Sequence, residues 1–243
     1  MSKSLVYSIR GHIGQRSSPS RKRIVKPDYV APEYNRAALL TIDLQRDFLD
    51  GHRYQIVGTA AALPAVTRLV KYFRQTRQPI VHAVRLYKSD GSNVDLCRRG
   101  AVQSGESIAT AGSEGSQLAE PLSPSPETAL DTDVLLSGRF QAVGSNEWIM
   151  YKPRWSAFYQ TALQSHLEGL GVSTVVFTGC NFPNCPRASI YEASERDFRI
   201  VAIEDAISGF YAQGRAELEA IGVRVLDTPT YLTLAGSQVV GRE

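Results

Sequence analysis

Cys185 has the setting that most suggests chemistry, because it lies where a predicted strand gives way to a predicted helix. The apolar run 175–177 ends at Gly179, and Pro183 and Pro186 both fit the opening turn of a helix, where a missing N–H has no cost. The N–H groups of that turn lack partners, and the helix dipole favours negative charge there. The position therefore predicts a thiolate nucleophile with a lowered pKa. A buried structural thiol is the alternative.

Two further predicted strands end in ionisable side chains. The apolar segment that begins at Ala37 runs into Asp43, and the segment that begins at Trp148 runs into Lys152. The carboxyl ends of parallel strands share one edge of a sheet, and ligands bind at that edge. Nucleophilic catalysis could follow there: Cys185 attacks, Asp43 accepts the thiol proton, and Lys152 steadies the charge. Each residue also has an ordinary alternative, since aspartate forms turns and helix caps and lysine is usually solvated.

The sequences around these three residues resemble the motifs of a known family. Asp43, Lys152 and Cys185 lie in the segments T-I-D-L-Q-R-D-F, Y-K-P-R-W-S-A-F and T-G-C-N-F-P-N-C. Taken together, and in this order within residues 36–228, the segments are similar to the Asp–Lys–Cys triad of the isochorismatase-like cysteine hydrolases. That family includes nicotinamidases, N-carbamoylsarcosine amidohydrolase and ureidoacrylate hydrolases.

The resemblance implies a three-layer α/β/α fold with a six-stranded, mainly parallel, Rossmann-like sheet. It implies a hydrolase that cleaves the C–N bond of a small amide, ureido or N-carbamoyl compound through a thioester on Cys185. It implies an oxyanion hole formed by the backbone N–H groups of Asn181 and Cys185, with a cis Cys180–Asn181 peptide bond. A homodimer or homotetramer is the implied assembly. Two alternatives stay open, namely a vinyl ether hydrolase of the isochorismatase type and a non-catalytic binding protein on the same fold.

The chain departs from the family pattern in two places. Residues 181–184 read N-F-P-N and Pro186 follows the cysteine, which suggests a different pocket wall. The Asp-x-His pair that nicotinamidases carry after the second strand is missing, and no two of the four histidines stand at ligand spacing. We therefore expect no catalytic metal and no cofactor, and a nicotinamidase is disfavoured. His82 lies inside an apolar strand and suits the core or a subunit interface.

Several residues near the three motifs could contact a small-molecule substrate. Arg85 ends a predicted strand at the same edge as Asp43 and could meet an anionic group. Four aromatic side chains are candidate pocket walls, although aromatic residues also anchor cores and interfaces; they are Phe48, Trp155, Phe158 and Phe182. Cys180 suits a structural thiol, with a reversible disulfide to Cys185 as the alternative.

Length and composition agree with one domain. The chain has 243 residues, 43% of them hydrophobic, which is ample for a single α/β core with an insertion. Residues 1–35 predict a flexible or partner-wrapping basic arm, since residues 1–27 hold seven Lys/Arg and no acid. No aromatic residues interleave with the basic cluster, so no nucleic-acid partner is expected. No membrane segment or signal peptide is evident, and three cysteines suit a reducing, cytoplasmic setting.

Strands and helices alternate within the predicted hydrolase domain, residues 36–243, which indicates a parallel sheet covered on both faces. The predicted strands cover residues 37–43, 79–85, 146–152, 173–178, 199–204 and 223–226. The predicted helices cover residues 60–76, 157–169, 183–197 and 208–221. Residues 86–144 predict an insertion that serves as a lid and subunit contact, with short helices near 94–103 and 114–119.

Overall fold

The computed structural model of the chain describes residues 28–240, with side chains described for residues 28–237. Most of the predicted basic arm, residues 1–27, therefore lies outside the described residues. In the short segment that precedes the first strand, Tyr34 is buried against the domain. Within the described part of the chain, no helix is both long and apolar enough to span a bilayer.

Within residues 28–240, seven strands form one sheet in the order β3–β4–β2–β1–β5–β6–β7. They are β1 (Ala37–Ile42), β2 (Ile80–Val84), β3 (Gln141–Gly144), β4 (Glu147–Tyr151), β5 (Thr174–Gly179), β6 (Arg199–Ile207) and β7 (Arg224–Leu226). Every neighbouring pair is parallel except the antiparallel β3–β4 pair. The predicted α/β fold with a mainly parallel sheet is confirmed.

The strand count differs from the prediction of six, because β3 adds a strand at one edge of the sheet. Its four residues read Q-A-V-G and alternate between half-buried and exposed. So short a segment carries too few apolar side chains to indicate a strand by periodicity. It forms because a two-residue turn at Ser145 and Asn146 folds it back onto β4.

The order of the strands creates a crevice at the carboxyl ends of β1 and β5. The chain leaves β1 toward β2 on one side, and it leaves β5 toward β6 on the other side. Such a reversal is where open α/β sheets bind ligands. The backbones approach closely here, since a Cβ at Gly179 would collide with the carbonyl oxygen of Ile42, and Gly179 has a φ of 124°. Only glycine fits both conditions.

Helices cover both faces of the sheet. One face packs on α1 (Thr59–Gln75) and α7 (Thr228–Val240), and the other packs on α4 (Leu163–Gly169), α5 (Cys185–Ser194) and α6 (Ala212–Ala220). Successive side chains of β1 point to opposite faces, so Leu39 enters the first of these cores and Leu40 the second. The predicted three-layer arrangement follows from this alternation.

Helices form near the predicted positions 60–76, 183–197 and 208–221, whereas other predicted helices differ from the structure. Residues 114–119, predicted as a helix, form turns that precede a 3₁₀ turn at Glu120–Leu122. The predicted helix over 157–169 begins only at Leu163, because Gln160 has a φ of 52° and interrupts it. The terminal helix α7 was not predicted, since its threonines and glycine favour helix weakly. Tertiary packing stabilises it, with Tyr231 stacked on Phe73 at 6.1 Å between ring centroids.

The insertion, residues 86–144, packs on the sheet. It contains α2 (Leu96–Gln103), near the predicted 94–103 helix, and α3 (Thr132–Leu136), which was not predicted. Leu118, Leu130 and Leu135 join Val84 and Ile149 of the sheet in one buried cluster. The insertion therefore extends the domain's core, and its role as a lid and subunit contact stays a prediction.

His82 is buried in β2, within a polar chain that crosses the sheet. Its Nδ1 lies 2.7 Å from the Thr41 hydroxyl and its Nε2 lies 2.9 Å from Glu147 Oε1. Arg74 also donates to this carboxylate, at 2.7 and 2.8 Å. These partners satisfy the buried imidazole, which agrees with a core role.

Candidate active site

Asp43 and Lys152 form a buried ion pair at the crevice. Asp43 follows β1 directly and Lys152 follows β4 directly, and their backbone N–H groups bond to Ala83 and Val84 of the strand between them. The Lys152 Nζ lies 2.9 Å from Asp43 Oδ2, and the exposed side-chain fractions are 0% and 5%. Two residues more than a hundred positions apart are thus held in register by β2.

The electrostatics keep Asp43 ionised. Burial by itself would raise the pKa of this carboxyl, but the positive charges of Lys152 and Arg85 outweigh burial and lower the pKa below its usual value. The second carboxylate oxygen, Oδ1, is buried and has no hydrogen-bond partner among the described residues. Asp43 is therefore a carboxylate with one oxygen free to accept a proton.

Cys185 is the first residue of α5 and is only 3% exposed. Burial, and after it the negative charge of Asp43, raises the pKa of the Cys185 thiol above its usual value. Lys152 and Arg85 act in the opposite direction without overcoming this effect. The prediction of a lowered pKa for this thiol was wrong, because burial and the nearby carboxylate outweigh the positive charges of Lys152 and Arg85. The resting side chain is a thiol, so its activation requires a base.

Arg85 contacts the sulfur directly. Its Nη2 lies 3.6 Å from Cys185 Sγ and donates to the carbonyl of Arg154 at 3.0 Å. Its Nη1 donates to Asp95 Oδ2 at 2.6 Å, and the Tyr87 hydroxyl donates to the same oxygen at 2.6 Å. Although burial opposes the charge, the neighbouring Asp43, Tyr87 and Cys185 raise the pKa of Arg85, so it is a fixed cation.

The backbone before Cys185 has the predicted conformation. The Cys180–Asn181 peptide bond is cis, as expected from the resemblance. Within the described residues, neither the Asn181 N–H nor the Cys185 N–H donates a hydrogen bond, whereas the Phe182 N–H donates to Ser208 at 2.8 Å. Both N–H groups of the predicted oxyanion hole are therefore without partners among the described residues, and their role stays a prediction.

Cys180 is buried behind the site. Its Sγ lies 3.1 Å from the backbone carbonyl of Asp43, and burial raises its thiol pKa well above the usual value. Cys97, Cys180 and Cys185 are all free thiols in this structure. The arrangement agrees with a structural role for Cys180, and the disulfide alternative stays a hypothesis.

The aromatic candidates separate into two groups. Trp155 is 42% exposed and lines a cavity of about 440 Å³ together with Asp95, Arg154, Tyr159 and Ala188. Ala188 lies three residues after Cys185, so the cavity extends along the helix that begins at Cys185.

The other three aromatic side chains do not line this cavity. Phe182 packs on Phe210 at 4.3 Å between ring centroids, and Phe158 packs on Phe198 at 6.0 Å. Phe48 is buried in a small cluster that includes Cys180. All three rings are buried among apolar neighbours, and their role as pocket walls stays a prediction. Sequence reasoning missed Asp95 and Tyr159, whose surroundings in the sequence carry no distinguishing signal.

No group of three or more metal-ligating side chains lies together among the described residues. The expectation of no catalytic metal stays a prediction.

Comparison with known proteins agrees with these observations. The chain is 29% identical to a protein of Arabidopsis thaliana named "Probable inactive nicotinamidase", over 83% of this chain and 95% of that protein. It is 23% identical to a ureidoacrylate amidohydrolase of Methylobacterium radiotolerans, over 74% of this chain and 70% of that protein. An isochorismatase family protein of Desulfovibrio vulgaris superposes with a TM-score of 0.69 at 25% identity, over 85% of this chain and 99% of that one. A family model described as "Isochorismatase domain" matches residues 37–228, and the chain belongs to the isochorismatase family.

Proposed function

We propose that the protein is a cysteine hydrolase that cleaves the C–N bond of a small amide, ureido or N-carbamoyl compound through a thioester intermediate. The observation that carries the proposal is the buried Asp43–Lys152 pair, 2.9 Å apart, beside the Cys185 thiol. Relatives named as ureidoacrylate and maleamate amidohydrolases support the reaction class. The raised pKa of the thiol supports a mechanism in which Asp43 acts as the base that deprotonates Cys185.

The proposed reaction begins with proton transfer. Asp43 takes the proton from the Cys185 thiol, and the sulfur attacks the carbonyl carbon of the substrate. The carbonyl oxygen becomes an oxyanion, and the free N–H groups of Asn181 and Cys185 would stabilise it. Lys152 keeps the carboxyl of Asp43 acidic enough to give the proton back.

The second half of the reaction releases the products. The C–N bond breaks, and Asp43 protonates the departing nitrogen as ammonia or an amine. Water then attacks the thioester and gives its proton to Asp43 while the C–S bond breaks. The acid product leaves, and the proton on Asp43 returns to the sulfur, which restores the starting thiol.

The decisive experiment is an assay of ammonia release from a panel of small amides, ureido acids and N-carbamoyl amino acids. Wild-type protein is expected to turn over at least one class, and Cys185→Ala is expected to show no turnover while its circular dichroism and thermal midpoint remain those of the wild type. Cys97→Ser is the control for loss of a thiol outside the triad; because Cys97 lines the Trp155 cavity, its KM can change, but turnover is expected to persist. Turnover by Cys185→Ala would refute the proposed mechanism.

A non-catalytic binding protein on the same fold is the second candidate. It is favoured by the 3% exposure of Cys185 and by the relative named as probably inactive. Iodoacetamide labelling at neutral pH separates the two candidates. Labelling of Cys185 that substrate analogues block in a saturable manner supports the hydrolase. A Cys185 that stays unlabelled, together with no turnover of any panel member, supports the binding protein. Pyruvate release from isochorismate would instead indicate the vinyl ether hydrolase.

A further inference from the structure

Two buried cationic side chains, Lys152 and Arg85, contact different groups of the site. Lys152 faces Asp43 at 2.9 Å, at the end of the site where negative charge rests before reaction. Arg85 faces the sulfur at 3.6 Å, at the end where negative charge arrives once Asp43 has taken the proton. Proton transfer moves one negative charge from carboxylate to sulfur, so a cation fixed at the sulfur stabilises the state after transfer.

We propose that Arg85 is a catalytic residue, whose guanidinium stabilises the Cys185 thiolate, and that Asp95 and Tyr87 are the positioning residues that hold it there. The inference rests on the proposed function and adds a residue to the three already considered. It also revises the expectation from the sequence, in which Arg85 would contact an anionic substrate.

The hydrogen bonds of Arg85 support the thiolate role over substrate binding. The side chain is 1% exposed. Nη1 is committed to Asp95 at 2.6 Å and to the Tyr87 hydroxyl at 3.2 Å, and Nη2 is committed to a backbone carbonyl and to the sulfur. A guanidinium with both terminal nitrogens engaged has its orientation fixed before substrate arrives, and little capacity remains for a substrate carboxylate.

Asp95 can hold Arg85 without quenching the local positive charge. Arg98 lies 3.3 Å from the same Asp95 oxygen, and Arg154 lies 3.7 Å from the other oxygen. Three guanidinium groups thus surround one carboxylate, which leaves net positive charge beside the sulfur. Because Arg98 and Arg154 also lie beside Asp95, loss of Arg85 would not leave this carboxylate as an unpaired buried charge.

The test measures the thiol itself, with no substrate present. In a Cys97→Ser background, the rate of iodoacetamide labelling of Cys185 is followed against pH for wild type, Arg85→Gln, Arg85→Lys and Arg98→Gln. Arg98→Gln is the matched control, because Arg98 also contacts Asp95 and the Tyr87 hydroxyl but makes no hydrogen bond to the sulfur among the described residues. Buried Cys180 reports on unfolding, since its labelling signals a lost fold.

Arg85→Gln is expected to slow labelling at neutral pH by about tenfold or more and to move the titration midpoint upward, because a hydrogen bond from a charged donor stabilises its partner by at least that factor. Arg85→Lys is expected to recover part of the loss, and Arg98→Gln is expected to shift the midpoint less than Arg85→Gln. Equal profiles for wild type and Arg85→Gln would overturn the proposal, as would an equal shift in Arg98→Gln.

A second pair of variants and a kinetic assay complete the test. If Arg85→Gln does not fold, Arg85→Met/Asp95→Asn removes both charges together and is compared with Asp95→Asn, with the same tenfold expectation. On a substrate that wild type hydrolyses, Arg85→Gln is expected to lower kcat with little change in KM; a raised KM with an unchanged thiol titration would assign Arg85 to substrate binding and overturn the inference. Absence of any hydrolysis by wild type would refute the proposed function while leaving the labelling result readable.

Discussion

Replacement of Lys152 by methionine is expected to destabilise the fold by about 3–5 kcal/mol at pH 7, the usual cost of removing one partner from a buried ion pair. Methionine keeps most of the length and volume of the side chain, so packing changes little. The change removes the positive charge that faces Asp43 and leaves the carboxylate buried.

The structure sets the size of this effect. At 2.9 Å and an effective dielectric constant of about 20, the gross attraction of the pair is about 6 kcal/mol. Lys152 is fully buried, so little of this attraction is screened by solvent. Arg85 continues to act on Asp43 in the variant and supplies part of the lost stabilisation, which places the expected cost below the gross figure. For a chain of 243 residues, 3–5 kcal/mol corresponds to a fall in Tm of about 6–20 °C.

The destabilisation should depend on pH, and its direction follows from the shift in the pKa of Asp43. Its folded pKa is lowered in the wild type, so the stability it contributes is present above the unfolded pKa, near 4, and is lost as pH falls through the folded value. Without Lys152, burial raises the pKa of this carboxyl, and the folded state then favours the protonated form. The gap between wild type and Lys152→Met is therefore expected to narrow as pH falls from 7 to about 4.

Urea unfolding of wild type, Lys152→Met, Asp43→Asn and the double variant measures this prediction. Asparagine suits the position because Asp43 has a φ of 53°, which asparagine tolerates. The double variant holds neither charge and is expected to be more stable than Lys152→Met. A cost below about 1 kcal/mol, a cost that does not vary with pH, or a double variant as unstable as the sum of the singles would refute the reasoning.

Three further perturbations have defined outcomes. Burial opposes ionisation of Glu147, but hydrogen bonds, with that from Arg74 the largest, lower its pKa to about 2. The stability that this carboxylate contributes is present above its unfolded pKa and is lost as pH falls toward 2. Over that range, the free energy of unfolding of Glu147→Gln should therefore fall less than that of the wild type. Gly179→Ala should destabilise by more than about 3 kcal/mol in urea unfolding, since its Cβ would strike the Ile42 carbonyl at a φ of 124°. Trp155→Ala should raise KM about tenfold with little change in Tm, because the ring is 42% exposed and lines the cavity; an unchanged KM would remove Trp155 from the substrate site.

The sequence alone was enough to predict the strands that carry the candidate site. Apolar runs that end in Asp43, in Lys152 and shortly before Cys185 are strong local signals, because a strand buried on both faces is predominantly apolar. The order of these motifs along the chain indicated the family, and the family match to residues 37–228 bears this out. Three elements were missed, namely β3, α3 and α7, and the residues of β3 and α7 favour their conformations weakly.

Only the tertiary structure decided the chemistry around the sulfur. The sequence places Arg85 at the end of a strand but cannot show that its guanidinium reaches Cys185 Sγ at 3.6 Å. A helix start favours a thiolate, whereas the folded chain buries the thiol beside a carboxylate and raises its pKa. Likewise Phe182 flanks the site in sequence but turns into the core. Periodicity and strand ends are local properties that the chain carries with it, whereas desolvation and charge interactions depend on every group that folding brings near, including residues a hundred positions away.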